Sequence, residues 1–527
     1  MTADFDLIVV GSGPAGVSVS FPLVEAGLRV LMVDGGAVPS IGLPAGEFLA
    51  ERFADPSQWR WMLGEDFHAL SHPDALTPKL RTATLGYVFA GFLQANRIET
   101  EDFVGVGSLA SGGLSNAWGC GVARLSPEEL RTFPLLPAEI EDSYARVGRR
   151  IGISGGTDDD MTAYFGVDSV AAPPIPMDRL HQRLAAKYEA RRARLARVGF
   201  RMGRSRIAVL SEDREHRHAC DLSGTCLWGC RRRALYSAVD ELPALERHPG
   251  FRLRRGFIVE QIVPGPDCLA VEGKGIAGRE RLTAARVVLA AGTLASTRLA
   301  LAALQFDRAV PVLSCPNAAF LLWQPSMLGA PRTRGLGLGQ LSYALSVTDS
   351  VVGFGSTFST TGLPAAEFIR HLPLRKREGV ALVRHLMSSC VVGNIFLPGD
   401  LSASRATLTT AGTLKVTGGQ SARVPALMAE AARKLRRAYL ALGAALLPTT
   451  FRPGPPGSDI HYAGTLPMRA APGPGETDAR GALAGLEGLH IVDGAVLPAL
   501  SEKSHTLTIM ANADRIGRRL AKAITHR

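Results

Sequence analysis

Lysine, cysteine and long apolar runs are all scarce in this chain, and each shortage excludes something. Of 527 residues only 8 are lysine, against 51 arginines, so the formal charge of +11 is almost wholly arginine. Those arginines stand in short scattered groups, such as Arg191–Arg194, Arg231–Arg233 and Arg436–Arg437, with no dense tail. That pattern, beside abundant Ala, Gly, Leu and Pro, fits coding bias in a GC-rich genome, and no nucleic-acid partner is expected. Seven cysteines in a chain of this length make no disulfide framework. The opening MTADFDLIVVGSG lacks the basic start and apolar stretch of a secretory signal. No apolar run reaches the roughly 18–20 residues of a membrane span. The longest, Val287–Leu304, is broken by Gly292, Ser296 and Arg298. A cytoplasmic protein with no integral membrane segment is the expectation.

What is present is core material, 46% hydrophobic against 20% charged residues, which excludes wholesale disorder. Phe5–Val10 (FDLIVV) suits a central parallel strand buried on both faces. It runs into Gly11-Ser12-Gly13-Pro14-Ala15-Gly16. In such a turn the first glycine permits the tight bend, the second admits a pyrophosphate and the third brings helix to strand. Arg29–Val33 reads as a second strand, ending at Asp34, an acid placed for ribose hydroxyls. Pro22 falls inside the expected helix and should kink it.

Further segments decide between nicotinamide and flavin nucleotides. Ser111–Gly121 reads SGGLSNAWGCG and Val287–Leu301 reads VVLAAGTLASTRLAL; near the end stand His461–Met468 (HYAGTLPM) and Leu489–Arg515. With the first glycine turn, these resemble the glucose-methanol-choline (GMC) flavoprotein oxidoreductases. The likeness of Ser111–Gly121 is closest to the pyranose-oxidase and bacterial FAD-dependent glucose-dehydrogenase branch. The resemblance implies an α/β fold, in which a Rossmann-like FAD-binding domain carries a substrate domain built on an antiparallel sheet. It implies FAD contacts at Gly11, Gly13, Gly16, Asp34, Gly113, Ser115, Asn116, Val259, Asp493 and Thr506. Many relatives tether FAD through a histidine two residues after the Ser of the glycine segment; here that position is Ala117, so FAD is expected to be non-covalent.

Alcohol oxidation needs a base for the hydroxyl proton, and histidine titrates in the right range. Of 12 histidines, His461 and His505 fall in the family-like C-terminal segments. The resemblance makes His461 the base and His505 its partner, with Ser504 as the alternative partner. The expected reaction is oxidation of a CH–OH group on a small-molecule alcohol, sugar, glycoside or polyol, with the electron acceptor open. The alternatives are a lyase on the same scaffold and a non-catalytic flavoprotein subunit.

Cys220, Cys226 and Cys230 have the spacing C-x5-C-x3-C. It is compatible with an iron–sulfur cluster, as in the bacterial glucose dehydrogenases, with a zinc site, or with inert thiols; no metal site is assigned. The flavin domain is expected to be assembled from 1–125, 205–302 and 456–527, and the substrate domain from 126–204 and 303–455. Within the latter, the alternating runs Leu341–Val352 and Ala406–Val416 suggest strands. Met428–Leu446 reads as a solvated surface helix, and Phe368–Met387 as a basic helix that can meet a membrane or partner. Thr508–Ala523 reads as a helix with Met510, Ala513, Ile516 and Leu520 inward.

Overall fold

Two sheets organise the chain. In the computed structural model, residues 5–43, 56–70, 77–331, 333–360, 362–363 and 374–526 are described. The strands used below are β1 (Phe5–Val10), β2 (Val30–Asp34), β3 (Phe200–Arg204), β4 (Phe251–Arg255), β5 (Ile258–Pro264) and β6 (Leu269–Gly275). They continue with β7 (Gly278–Leu289), β8 (Asn317–Trp323), β9 (Gly339–Ser346), β10 (Val352–Ser359), β11 (Cys390–Phe396) and β12 (Leu489–Ile491). The helices are α1 (Pro14–Glu25), α2 (Ala138–Ile151), α3 (Arg179–Glu189), α4 (Thr293–Leu304), α5 (Lys376–Leu386), α6 (Val424–Ala441) and α7 (Thr506–Thr525).

The first sheet is Rossmann-like. β1 lies at its centre, parallel to β2 on one side and to the second half of β7 on the other. β4 adds beyond β2 and β12 beyond β7, again parallel. Leu7, Ile8 and Val9 are fully buried, as a strand covered on both faces requires. The first half of β7 turns away and pairs antiparallel with β6, which pairs with β5. The N-terminal α1 and α2 both pack against the C-terminal α7. Pro22 lies within α1 and does not end it.

The second sheet is antiparallel, in the order β8, β11, β10, β9, β3. One of its faces, with Phe320, Leu322, Tyr343 and Ile395, packs on α3 and α6. This α/β architecture is the one expected. Several local readings change. Leu341–Val352 covers most of β9, which ends at Ser346, and only the first residue of β10, while Ala406–Val416 spans the turn between Ser404–Leu408 and Leu414–Thr417. Alternation carries across a tight turn, so period alone does not reveal the break. α6 ends at Ala441 and buries Leu427, Met428, Ala431, Leu435 and Tyr439, so one whole side is core. The family-like C-terminal helix starts two residues before Thr508 and runs two beyond Ala523. Part of Phe368–Met387 lies outside the described residues; Lys376–Leu386 is helical. Among the described residues, no helix is long and apolar enough to cross a membrane.

Candidate functional site

Between the two sheets lies a cavity of about 1190 Å³. At its first end the glycines of the β1–α1 turn do different things. Gly11 has a φ of +107°, and a Cβ there would lie 2.4 Å from Ala290 O; one on Gly16 would lie 1.9 Å from Gly11 O. Both positions let strand and helix close together. Gly13 instead faces the cavity, and a Cβ there would have no neighbour nearer than 4.0 Å. α1 starts beside it without a side-chain cap, so the helix N-terminus suits an anionic phosphate.

Asp34 closes this end. Its Oδ2 accepts from Ser12 Oγ (2.6 Å) and Ser111 Oγ (2.8 Å), while its buried Oδ1 has no partner among the described residues. An unmatched buried acceptor costs about 1–3 kcal/mol, which a ribose hydroxyl would recover. Ser12 Oγ also accepts from Gly112 N at 3.0 Å, pinning the second glycine segment to the first. In that segment Ser115 Oγ donates to Gly112 O (2.6 Å) and accepts from Ala238 N (2.9 Å). Asn116 spends its amide N–H groups on Ser111 O and Gly113 O, and its oxygen on Ser237 Oγ.

Gly113, Ser115, Val259, Asp493 and Thr506 line the cavity with Gly11, Gly13 and Asp34. Gly16 and Asn116 stand back from it and shape its wall. Asp493 sits just past β12, where Oδ2 accepts from Gly292 N (3.0 Å) and Ser296 Oγ (2.5 Å), and Oδ1 from Ala495 N (3.0 Å). Burial raises its pKa to about 6, against the pull of those three hydrogen bonds. Ala117 lines the cavity and offers no nucleophile.

His461 and His505 meet deeper in the cavity, their ring centroids 4.9 Å apart at 70°. Each leaves a buried Nδ1 without a partner among the described residues. Burial lowers the pKa of His461 to about 4, with the charge of Lys79 adding to the effect. Burial and the neighbouring His461 hold His505 well below its ordinary value. Both imidazoles are therefore neutral near pH 7. Ser504 lines the same wall.

Three groups here escaped the sequence reading. Asp459 is reached through Ile460, a β-branched residue at a φ of +59°, a costly conformation of the kind that collects at functional sites. Its Oδ2 accepts from Cys315 N (2.6 Å) and lies 3.8 Å from His461 Nδ1. Burial pushes its carboxyl well above the usual range. Ligand-type atoms of Cys315, Asp459 and His461 fall within 4.8 Å of one another. Lys79, half-buried on the wall, has its pKa lowered by burial to about 8. Asn394 reaches the cavity from β11. Asp459 stood just outside the family-like segment, and Lys79 and Asn394 belong to no motif. Cys220, Cys226 and Cys230 form no disulfide among the described residues; Cys226 Sγ accepts from Gly337 N at 3.3 Å and Cys220 Sγ from Leu222 N at 3.4 Å.

Residues 426–513, which hold His461, Asp493 and His505, match the family model described as GMC oxidoreductase. That match supports the GMC oxidoreductase family. The chain is 26% identical to paromamine 6'-oxidase of Streptomyces fradiae over 264 residues, 48% of this chain and 40% of that protein. The matched part is thus less than half of that relative. The crystal structure of pyridoxine 4-oxidase from Mesorbium loti superposes with a TM-score of 0.57 at 16% identity, covering 99% of this chain and 100% of the other. A likeness at that identity speaks for the GMC-type fold. Neither name is that of a pyranose oxidase or a glucose dehydrogenase, and that branch is not confirmed.

Proposed function

We propose that this GMC-type chain oxidises a CH–OH group of a small-molecule alcohol, sugar or polyol to a carbonyl. The observation that carries the reading is one cavity with a nucleotide cradle at one end and two neutral histidines 4.9 Å apart at the other. FAD fits that cradle: Gly13 leaves room for a pyrophosphate, and the unmatched Asp34 Oδ1 calls for a hydroxyl donor. Bound there, FAD supplies the acceptor for the carbinol hydride. His461, neutral at working pH, takes the hydroxyl proton, while His505 holds the alcohol oxygen. Thr506 opens α7, whose N-terminal dipole favours negative charge on the cavity side. The proposal includes non-covalent FAD, a flavin half drawn from 1–125, 205–302 and 456–527, and a substrate half from 126–204 and 303–455. The relatives' names, a paromamine 6'-oxidase and a pyridoxine 4-oxidase, are those of oxidases of small molecules, which supports the reading.

The test is a visible spectrum of the purified holoenzyme during anaerobic titration with sugars and alcohols. Bleaching of the flavin is the expected result, and a lyase would leave it oxidised. His461→Ala should slow flavin reduction by about 10²–10⁴-fold. An unchanged rate would remove His461 from the mechanism.

A further inference from the structure

The second sheet turns two chemically different faces to its surroundings. The face away from α3 and α6 carries a polar row across four adjacent strands. Ser205 Oγ, just past β3, lies 2.7 Å from Ser342 Oγ of β9, which lies 2.8 Å from Ser356 Oγ of β10. Ser356 N in turn donates to Asn394 Oδ1 of β11 at 2.8 Å, leaving the Asn394 amide NH2 for the cavity that all four residues line. A chain of hydroxyls ending in an amide both donates and accepts, so it suits partners that do the same.

The distance from this row to the histidines has a definite scale. Phe396 follows Asn394 by two residues on the same strand, and its ring lies 5.2 Å from the His461 ring. Alternate residues of a strand are about 7 Å apart, close to the reach of a six-membered ring with hydroxyls on opposite sides. A ring laid over Phe396 with one carbinol at His461 would thus bring its far hydroxyls to Asn394 and Ser356.

We propose that Ser205, Ser342, Ser356 and Asn394 form the subsite for the non-reacting hydroxyls of a polyhydroxylated ring. The proposal rests on the alcohol-oxidation reading above. It is tested with the FAD holoenzyme by anaerobic flavin reduction, using D-glucose, methyl α-D-glucopyranoside and myo-inositol against benzyl alcohol. The wild type should favour at least one of these polyols over benzyl alcohol by about tenfold or more. Asn394→Leu should lower the ratio of that polyol to benzyl alcohol by about tenfold, mainly through KM. Retained flavin absorbance and thermal midpoint confirm that the variants fold; should Asn394→Leu lose them, Ser356→Ala takes its place in the same ratio. Flavin reduction with that ratio unchanged, or a wild-type preference for benzyl alcohol, overturns the subsite alone. No reduction by any probe overturns the alcohol-oxidation reading and the subsite with it.

Discussion

A buried imidazole proposed to accept a proton works under opposing demands. Burial excludes water from around His461, and the same burial makes its cationic form costly, holding the pKa at about 4. A base acts in its neutral form, so activity should rise as pH climbs through that value and stay available above it. The acid limb of kcat/KM is therefore expected near pH 4 rather than near 6.5. A limb near 6.5, measured by stopped-flow reduction across pH, would mean that water reaches His461 in the working enzyme. Asp34 shows the same logic without titration: one carboxylate oxygen is fully engaged within the chain and the other is kept for a ligand.

Among the elements, one tight constraint lies where the first and last helices cross. A Cβ on Gly517 of α7 would sit 2.6 Å from Val19 O and 2.8 Å from the Pro22 ring of α1. The glycine there lets a helix containing a proline lie directly against its neighbour. Gly517→Val should destabilise the protein by about 1–3 kcal/mol through overpacking, read as a lower midpoint in urea. An unchanged midpoint would show that the two helices can part freely. The hairpins in the second sheet carry a related lesson about legibility. β9 and β10 share one alternating pattern, and the turn between them, Thr348–Ser350, uses polar residues that an alternating strand also tolerates. The strands could be read and the fold-back could not, because pairing depends on contacts across the turn.

At the scale of the molecule, the proposed cofactor site draws on chain ends and middle alike: Gly13 and Asp34, Val259, and Asp493 with Thr506. A ligand held by such distant segments should stabilise the whole fold, by RT ln(1 + [L]/Kd) for free ligand in excess. Added FAD is expected to raise the thermal midpoint of stripped protein, and acid precipitation should release the flavin into the supernatant, since Ala117 offers no link. Flavin retained in the pellet would contradict the non-covalent site.

The sequence alone marked the two ends of the proposed site. The glycine turn, its strand and Asp34 are local, because a tight turn, a close approach and a strand-end acid are all written within a few tens of residues. His461 and His505 were singled out because two short C-terminal segments resemble the GMC family. The tertiary structure alone decided that those segments share one cavity, that Asp459 stands behind His461, and that Asn116 ties a loop while Asn394 faces the cavity. Those facts depend on contacts between residues far apart in the chain, where side-chain direction follows from sheet pairing and helix packing rather than from any local spacing.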